Sequence, residues 1–147
     1  MNIFTIFKEK AMEAVRKKFS SLSLKDELSI VSAARKGVRP GIFYSFANVA
    51  KLPEKKLAAL LHLHPRTISN YRSRRKHLNP VESEHLLKLI VLFTKGEEMF
   101  GSIDEFNHWL HKPYWHTKEI PMSWLNTPGG VDLITEELDR LAHGYVA

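Results

Sequence analysis

Apolar residues recur along this chain at helical spacing, and no stretch alternates as a half-buried strand does. Ile3, Phe7, Ala11, Val15 and Phe19 stand four apart, one stripe of a helix over about 3–19, with Lys8, Lys10, Arg16, Lys17 and Lys18 largely off it. This basic amphipathic helix has three possible fates: docking on its own core, pairing with a partner helix, or lying on a membrane. Docking within a dimer is the expectation. Ser23-x-x-Asp26 has the form of a capping box and predicts a second helix ending near Gly37. Pro40-Gly41 is expected to break the chain before a short helix over 42–51 that buries Phe43, Phe46, Ala47 and Ala50. Pro53 starts the next, with Leu57, Ala58, Leu60 and Leu61 inward, and Pro65 restarts the helix after the tight connection His62-Leu63-His64.

Asn79-Pro80-Val81-Glu82 combines an N-cap, a proline in the first helical position and an acid at the third. The helix it opens should run to about Lys95, with Leu86, Leu89, Ile90 and Phe93 on one face, and stop at Gly96. Ser102-Ile103-Asp104-Glu105 opens another, carrying Phe106, Trp109 and Leu110 and ended by Pro113. Residues 113–130 read as a connector rich in proline and aromatics. The last helix, about 131–143, buries Val131, Ile134, Leu138 and Leu141 and ends at Gly144. The fold class is all-α: a basic helix over 1–22, a helix-turn-helix module over 23–81 and a small helical domain over 82–147.

Composition narrows the function classes. With 44% apolar residues in 147 the chain can build a core, and its 26% charged residues are ordinary. No cysteine is present, which excludes a disulfide scaffold, a thiol nucleophile and a cysteine zinc site, and makes a reducing, cytoplasmic compartment the expectation. No apolar run approaches the ~18 residues of a membrane span. The net charge of +6 is unevenly spread: residues 1–81 carry 17 Lys and Arg against 5 Asp and Glu, a balance of +12, and residues 82–147 carry 5 against 11, a balance of −6. Residues 55–81 contain no acid at all. Such segregation suits a polyanion facing one half and a different partner facing the other.

The helix–turn–helix spacing of Pro53–Lys76 gives the basic half a specific role. In the second helix Ile68 and Tyr71 form the inward pair, whereas Arg66, Thr67, Ser69, Asn70, Ser73 and Arg74 occupy the other face. These groups bond phosphates and read base edges, arginine at guanine and asparagine at adenine. Arg66 and Asn70 are the expected base contacts; Arg72, Arg74 and Arg75 are expected on phosphates or in packing. His64 fills the N-cap slot, where serine or threonine caps better. In the acidic half, Trp109 and Trp124 are assigned to the core, and Tyr114 and Trp115, beside Pro113, to an interface.

Catalytic and metal chemistry find little support. His62-x-His64 and His108-x-x-His111, with His116 nearby, lack an HExxH pattern or a carboxylate at ligand spacing. Asp104/Glu105 and Glu136/Glu137 are sequence neighbours at helix starts or on solvated faces, and Gly129-Gly130 follows no strand and precedes no Walker lysine. No enzymatic activity, metal or cofactor is expected.

An ordered set of positions carries a family resemblance. Arg66-Thr67-Ile68…Arg72…Arg74-Arg75 is followed by Leu78-Asn79-Pro80-Val81-Glu82-Ser83, Phe100-Gly101-Ser102 and Trp109-Leu110…Pro113. Then come Ile120-Pro121…Leu125…Thr127…Gly130 and Leu138…Leu141…His143-Gly144. In order and spacing this resembles the Xre/MbcA/ParS-like antitoxins over roughly residues 24–147. It departs from their pattern at Thr117-Lys118-Glu119, Trp124 and Asn79. The resemblance implies a bacterial type II antitoxin, acting as a dimer, that represses its own operon through the helix-turn-helix. It also implies a toxin partner held by the C-terminal domain, usually a RES-domain protein that degrades NAD or a related ADP-ribosyltransferase. Arg140-Leu141-Ala142-His143-Gly144-Tyr145-Val146-Ala147 would then block the toxin's active site, and an acidic domain would steer toward a basic nucleotide cleft. Two other readings stay open: a stand-alone repressor whose C-terminal domain dimerises or senses a ligand, and an adaptor that has lost DNA binding.

Overall fold

The computed structural model describes residues 14–22, 24–114 and 118–144. Among these residues eight α-helices follow one another: α1 (Ala14–Lys18), α2 (Glu27–Lys36), α3 (Pro40–Val49), α4 (Glu54–Leu60), α5 (Pro65–Ser73), α6 (Pro80–Phe100), α7 (Ile103–Leu110) and α8 (Pro128–Ala142), with a 3-10 turn at Pro121–Trp124 before α8. No strand occurs among the described residues, so the all-α expectation holds.

The organising element is α6. Its start is the one anticipated: Asn79 Oδ1 accepts the Glu82 amide at 2.8 Å while Glu82 Oε2 accepts the Asn79 amide at 3.0 Å. Its end is not. The helix passes through Gly96 and continues for 21 residues to Phe100, with Gly101 in the left-handed conformation as its cap. Gly96 is a contact point and not a terminator, because a Cβ there would lie 2.4 Å from the Phe106 ring, which α7 presses onto it. Nor is α6 apolar on one face only. Leu87 and Leu92 are as buried as Leu86, Leu89, Ile90 and Phe93, because α2, α7 and α8 all pack around it. One core therefore runs through both halves of the chain, and a row of ring contacts, Phe19–Phe46–Phe93–Phe106–Trp109–Tyr114, crosses it.

Other boundaries shift for local reasons. Pro40 does not break the chain. It opens α3 from the first position, where its missing N–H costs nothing. Asp26 itself caps α2, accepting the Ser29 amide at 2.8 Å, and this bond holds its carboxyl below the usual range. Ser23 lies outside the described residues. Pro53 is the N-cap of α4, and α7 ends at Leu110, short of Pro113. The Pro128-Gly129-Gly130 stretch expected in the connector forms the first turn of α8, capped by Thr127. Of the helix expected over 3–19, residues 14–18 are helical and 3–13 lie outside the described residues. Val15 and Phe19 of its stripe are buried. The Val15 amide donates to Glu97 Oε1 at 3.0 Å, and burial pushes that carboxyl up against the opposing effect of the bond.

Candidate nucleic-acid interface and C-terminal binding face

The helix-turn-helix is built by α4, residues 61–64 and α5. The turn closes when the Leu63 amide bonds the Ala58 carbonyl at 2.9 Å, with His62 at φ 58°. That conformation usually falls to glycine. His64 proves a functional cap: its Nδ1 accepts the Arg66 amide at 3.1 Å. As expected, Ile68 is fully buried and Tyr71 packs beside the core. Arg66, Ser69, Asn70, Ser73, Arg74 and Arg75 are exposed together, and Thr67 is half-buried. Arg72 takes the packing role, its guanidinium 4.8 Å from the centre of the Tyr44 ring on α3. The helix ends with the Lys76 amide on the Tyr71 carbonyl at 2.8 Å and Arg75 at φ 54°, so a basic side chain stands where glycine is easier.

Ion pairing differs between the two faces. Lys88 bridges Asp132 at 2.8 Å and Glu27 at 3.3 Å, Lys95 pairs with Asp139 at 2.8 Å, and Arg140 with Glu137 at 2.7 Å. Burial lowers the Lys88 ammonium, but its two carboxylates outweigh this and hold it above its ordinary value. Arg66, Arg74 and Arg75 have no carboxylate partner among the described residues. Their charge remains available to an external anion.

The helix-turn-helix is fastened to the C-terminal half by polar bonds that pattern reasoning missed. Lys51 Nζ reaches both Asp104 oxygens at 3.0 and 2.9 Å, and Asn107 Nδ2 donates to the Ala50 carbonyl at 2.9 Å. Lys56 Nζ donates to His111 Nε2 at 2.9 Å, and His62 Nε2 to the Asn126 carbonyl at 2.7 Å. These partners lie about fifty to sixty-five positions apart, and no local signal could have paired them.

His85 makes a parallel contact from inside α6. It is buried and sends Nε2–H to the Leu125 carbonyl at 2.8 Å; a carbonyl only accepts, which fixes the tautomer. Burial pushes this imidazole below its ordinary value, against the pull of the Leu125 bond, with His62 and Lys88 adding to the depression and Glu84 opposing it. Above the unfolded value of about 6.5 both states are neutral. As pH falls through it, the unfolded chain takes the proton first and stability is lost until the folded value is passed. Denaturant titrations between neutral pH and pH 5 are therefore expected to show a smaller loss of stability for His85→Gln than for the wild-type chain. Equal losses would remove His85 as the cause.

On the C-terminal face, the Tyr114 hydroxyl donates to Glu137 Oε1 at 2.8 Å, on the carboxylate that also holds Arg140. Burial, then the Glu137 bond, pushes the phenol up to about 12. Tyr114, expected at an interface, and Arg140, of the expected blocking segment, thus meet through Glu137, and Tyr114 also stacks edge-on against Trp109. Trp109 and Trp124 pack half-buried against the core. Arg140, His143 and Gly144 are exposed at the end of α8, where the His143 ring Nδ1 donates back to the Asp139 carbonyl at 2.6 Å and Gly144 has φ 65°. Trp115, Tyr145, Val146 and Ala147 lie outside the described residues. Among the described residues no group of His, Asp and Glu is placed to hold a metal ion, and no helix is long and apolar enough to cross a membrane.

Two family models match the chain. Residues 29–91 match the antitoxin Xre-like helix-turn-helix domain, and residues 95–144 match the antitoxin Xre/MbcA/ParS C-terminal toxin-binding domain. No individual curated protein gives a significant match. The models meet inside α6, and together they cover the helix-turn-helix with its free cations and the face formed by α7, the 3-10 turn and α8. The chain belongs to the Xre/MbcA/ParS family of antitoxins, with a helix-turn-helix and a toxin-binding domain joined through one shared helix.

Proposed function

We propose that this antitoxin blocks a RES-domain toxin that degrades NAD, or a related ADP-ribosylating toxin, and represses its own operon as a DNA-bound homodimer. The observation that carries the reading is the division of charge over a single shared core. The helix-turn-helix presents Arg66, Arg74 and Arg75 without a carboxylate partner among the described residues, while the cations of α6 and α8 are tied to carboxylates. Residues 23–81 then serve the DNA and residues 82–147 the toxin. Arg66 and Asn70 read bases, with Thr67, Ser69, Ser73, Arg74 and Arg75 on or near phosphates. The segment from Arg140 through His143 and Gly144 to Tyr145, Val146 and Ala147 enters the toxin's site, and Tyr114 and Trp115 are the further toxin contacts. The acidic balance of this half favours approach to the cationic cleft that an anionic dinucleotide requires. The NAD-directed class rests on the resemblance of the C-terminal pattern to antitoxins that oppose such toxins.

Co-expression with the neighbouring toxin gene tests the proposal. The expected result is a co-purifying complex, restored growth and restored cellular NAD. A complex that restores growth while the toxin leaves NAD untouched would retain the antitoxin and discard the toxin class.

A further inference from the structure

We infer that a second basic ridge, formed by Arg35, Lys36 and Arg39 against Lys76 and His77, grips the DNA backbone beside the groove occupied by α5. The inference rests on the DNA-binding role proposed above and extends its surface to residues outside the helix-turn-helix pair.

The ridge exists because two distant segments are forced together. The amide of Leu78 donates to the Val38 carbonyl at 2.9 Å, and the His77 ring nitrogen Nδ1 stands 3.5 Å from the Lys36 carbonyl. Gly37 sits between them at φ 83°, and a Cβ there would come within 2.8 Å of the Leu78 carbonyl oxygen and 3.0 Å of His77 Cβ. A residue with a side chain could neither adopt this backbone easily nor allow so close an approach. The sequence Arg35-Lys36-Gly37-Val38-Arg39 is thereby laid beside Arg74-Arg75-Lys76-His77.

All seven basic side chains of the two segments are exposed, and none has a carboxylate partner among the described residues. Like charges gathered without counter-charges destabilise one another, and an external polyanion relieves this. The end of α2 accounts for part of the pattern, since Arg35 and Lys36 suit its C-terminal carbonyls. It does not account for Arg39, which precedes α3, or for the run after α5.

Duplex DNA is the polyanion that fits by position. The ridge is continuous with α5: Lys76 folds back to 5.1 Å from the Tyr71 ring centre, and His77 follows it onto Lys36. At ~1.5 Å per residue, the nine residues of α5 span about 13 Å. A helix enters the ~12 Å wide major groove by its diameter, about 10–12 Å with side chains, so this length lies within the groove. With the N-terminal residues of a recognition helix on base edges, groups just past its C-terminus lie over the phosphates bordering the groove.

The test compares the full chain with Arg35→Gln/Lys36→Gln/Arg39→Gln and with Arg35→Lys/Arg39→Lys. Each is titrated, with and without the toxin, against the duplex upstream of its own gene and a scrambled duplex over a range of salt. Removing three phosphate contacts is expected to flatten the slope of log K against log salt by about 3, and to weaken binding to both duplexes alike. The lysine variant keeps the wild-type slope because it keeps the charge. A glutamine variant that melts like the wild type and retains its slope overturns the ridge while leaving DNA binding by α5 in place. Failure of the wild-type chain to bind either duplex, alone or with the toxin, overturns both. A glutamine variant that melts lower with an unchanged slope assigns these residues to the end of α2 and also overturns the ridge.

Discussion

Gly130→Ala is expected to destabilise the protein by about 3–5 kcal/mol, whereas Gly129→Ala, one residue earlier in the same helical turn, is expected to be neutral or mildly stabilising. In an exposed helix interior alanine normally exceeds glycine by about 1 kcal/mol, so propensity alone predicts a gain at both positions. Space reverses the sign at one of them. A Cβ on Gly129 meets nothing within 4 Å. A Cβ on Gly130 would lie 1.7 Å from the Trp124 carbonyl oxygen and 3.1 Å from Thr127 Oγ1. The colliding atom is backbone, fixed in the 3-10 turn, and cannot rotate aside. The same residue gives its amide to Thr127 Oγ1 at 3.0 Å, the cap that starts α8. Relief therefore requires moving the turn away from the helix, which also disturbs the carbonyls of Leu125 and Asn126 held by His85 and His62. Thermal melts should separate the two variants by roughly 8–20 °C on the usual scale for a chain of this size. Equal melting points would show that the 3-10 turn yields freely.

Removing residues 140–147 is expected to abolish inhibition of the toxin far more than it weakens the complex. Among the described residues the cut removes no buried side chain: Arg140, Ala142, His143 and Gly144 are exposed, as is Leu141, which the helical stripe placed inward, and α8 keeps Val131, Ile134 and Leu138 buried. It removes the Arg140–Glu137 pair, at half-exposed Arg140, worth no more than about 1 kcal/mol, and leaves Tyr114 on Glu137. Affinity, measured by calorimetry, should fall by about tenfold or less, since the face of α7 and α8 remains. Inhibition, measured as toxin turnover at saturating antitoxin, should fall by about 100-fold, the scale of a lost interface anchor. Full inhibition by the truncated chain would place the block elsewhere on the domain.

The division of labour in this chain was legible in the sequence because helices declare themselves locally. The Asn79-Pro80-x-Glu82 start, the Ser102 cap and the Ile68/Tyr71 inward pair each depend on neighbours within four residues, and each stands as expected. The same holds for the exposed face of α5, which follows from its period. Where local rules compete with packing, packing prevails. Gly96 reads as a helix stop and is instead a seat for Phe106. Pro40 reads as a break and is a first residue. Gly129-Gly130 reads as a connector and begins α8. Tyr114 belongs to an interface by its proline-flanked setting, yet the fold turns its hydroxyl onto Glu137 beside Arg140.

By itself, then, the sequence determined the all-α class, the position of the helix-turn-helix, the segregation of charge and the two-part antitoxin pattern, all carried by residue type and short-range spacing. Only the tertiary structure decided which cations keep their charge free, that His85 is sealed under a carbonyl, and that Gly37 lays one basic segment beside another. Those outcomes depend on contacts between residues about forty to sixty-five positions apart. Such contacts are settled by close packing around α6, and no periodicity along the chain encodes them.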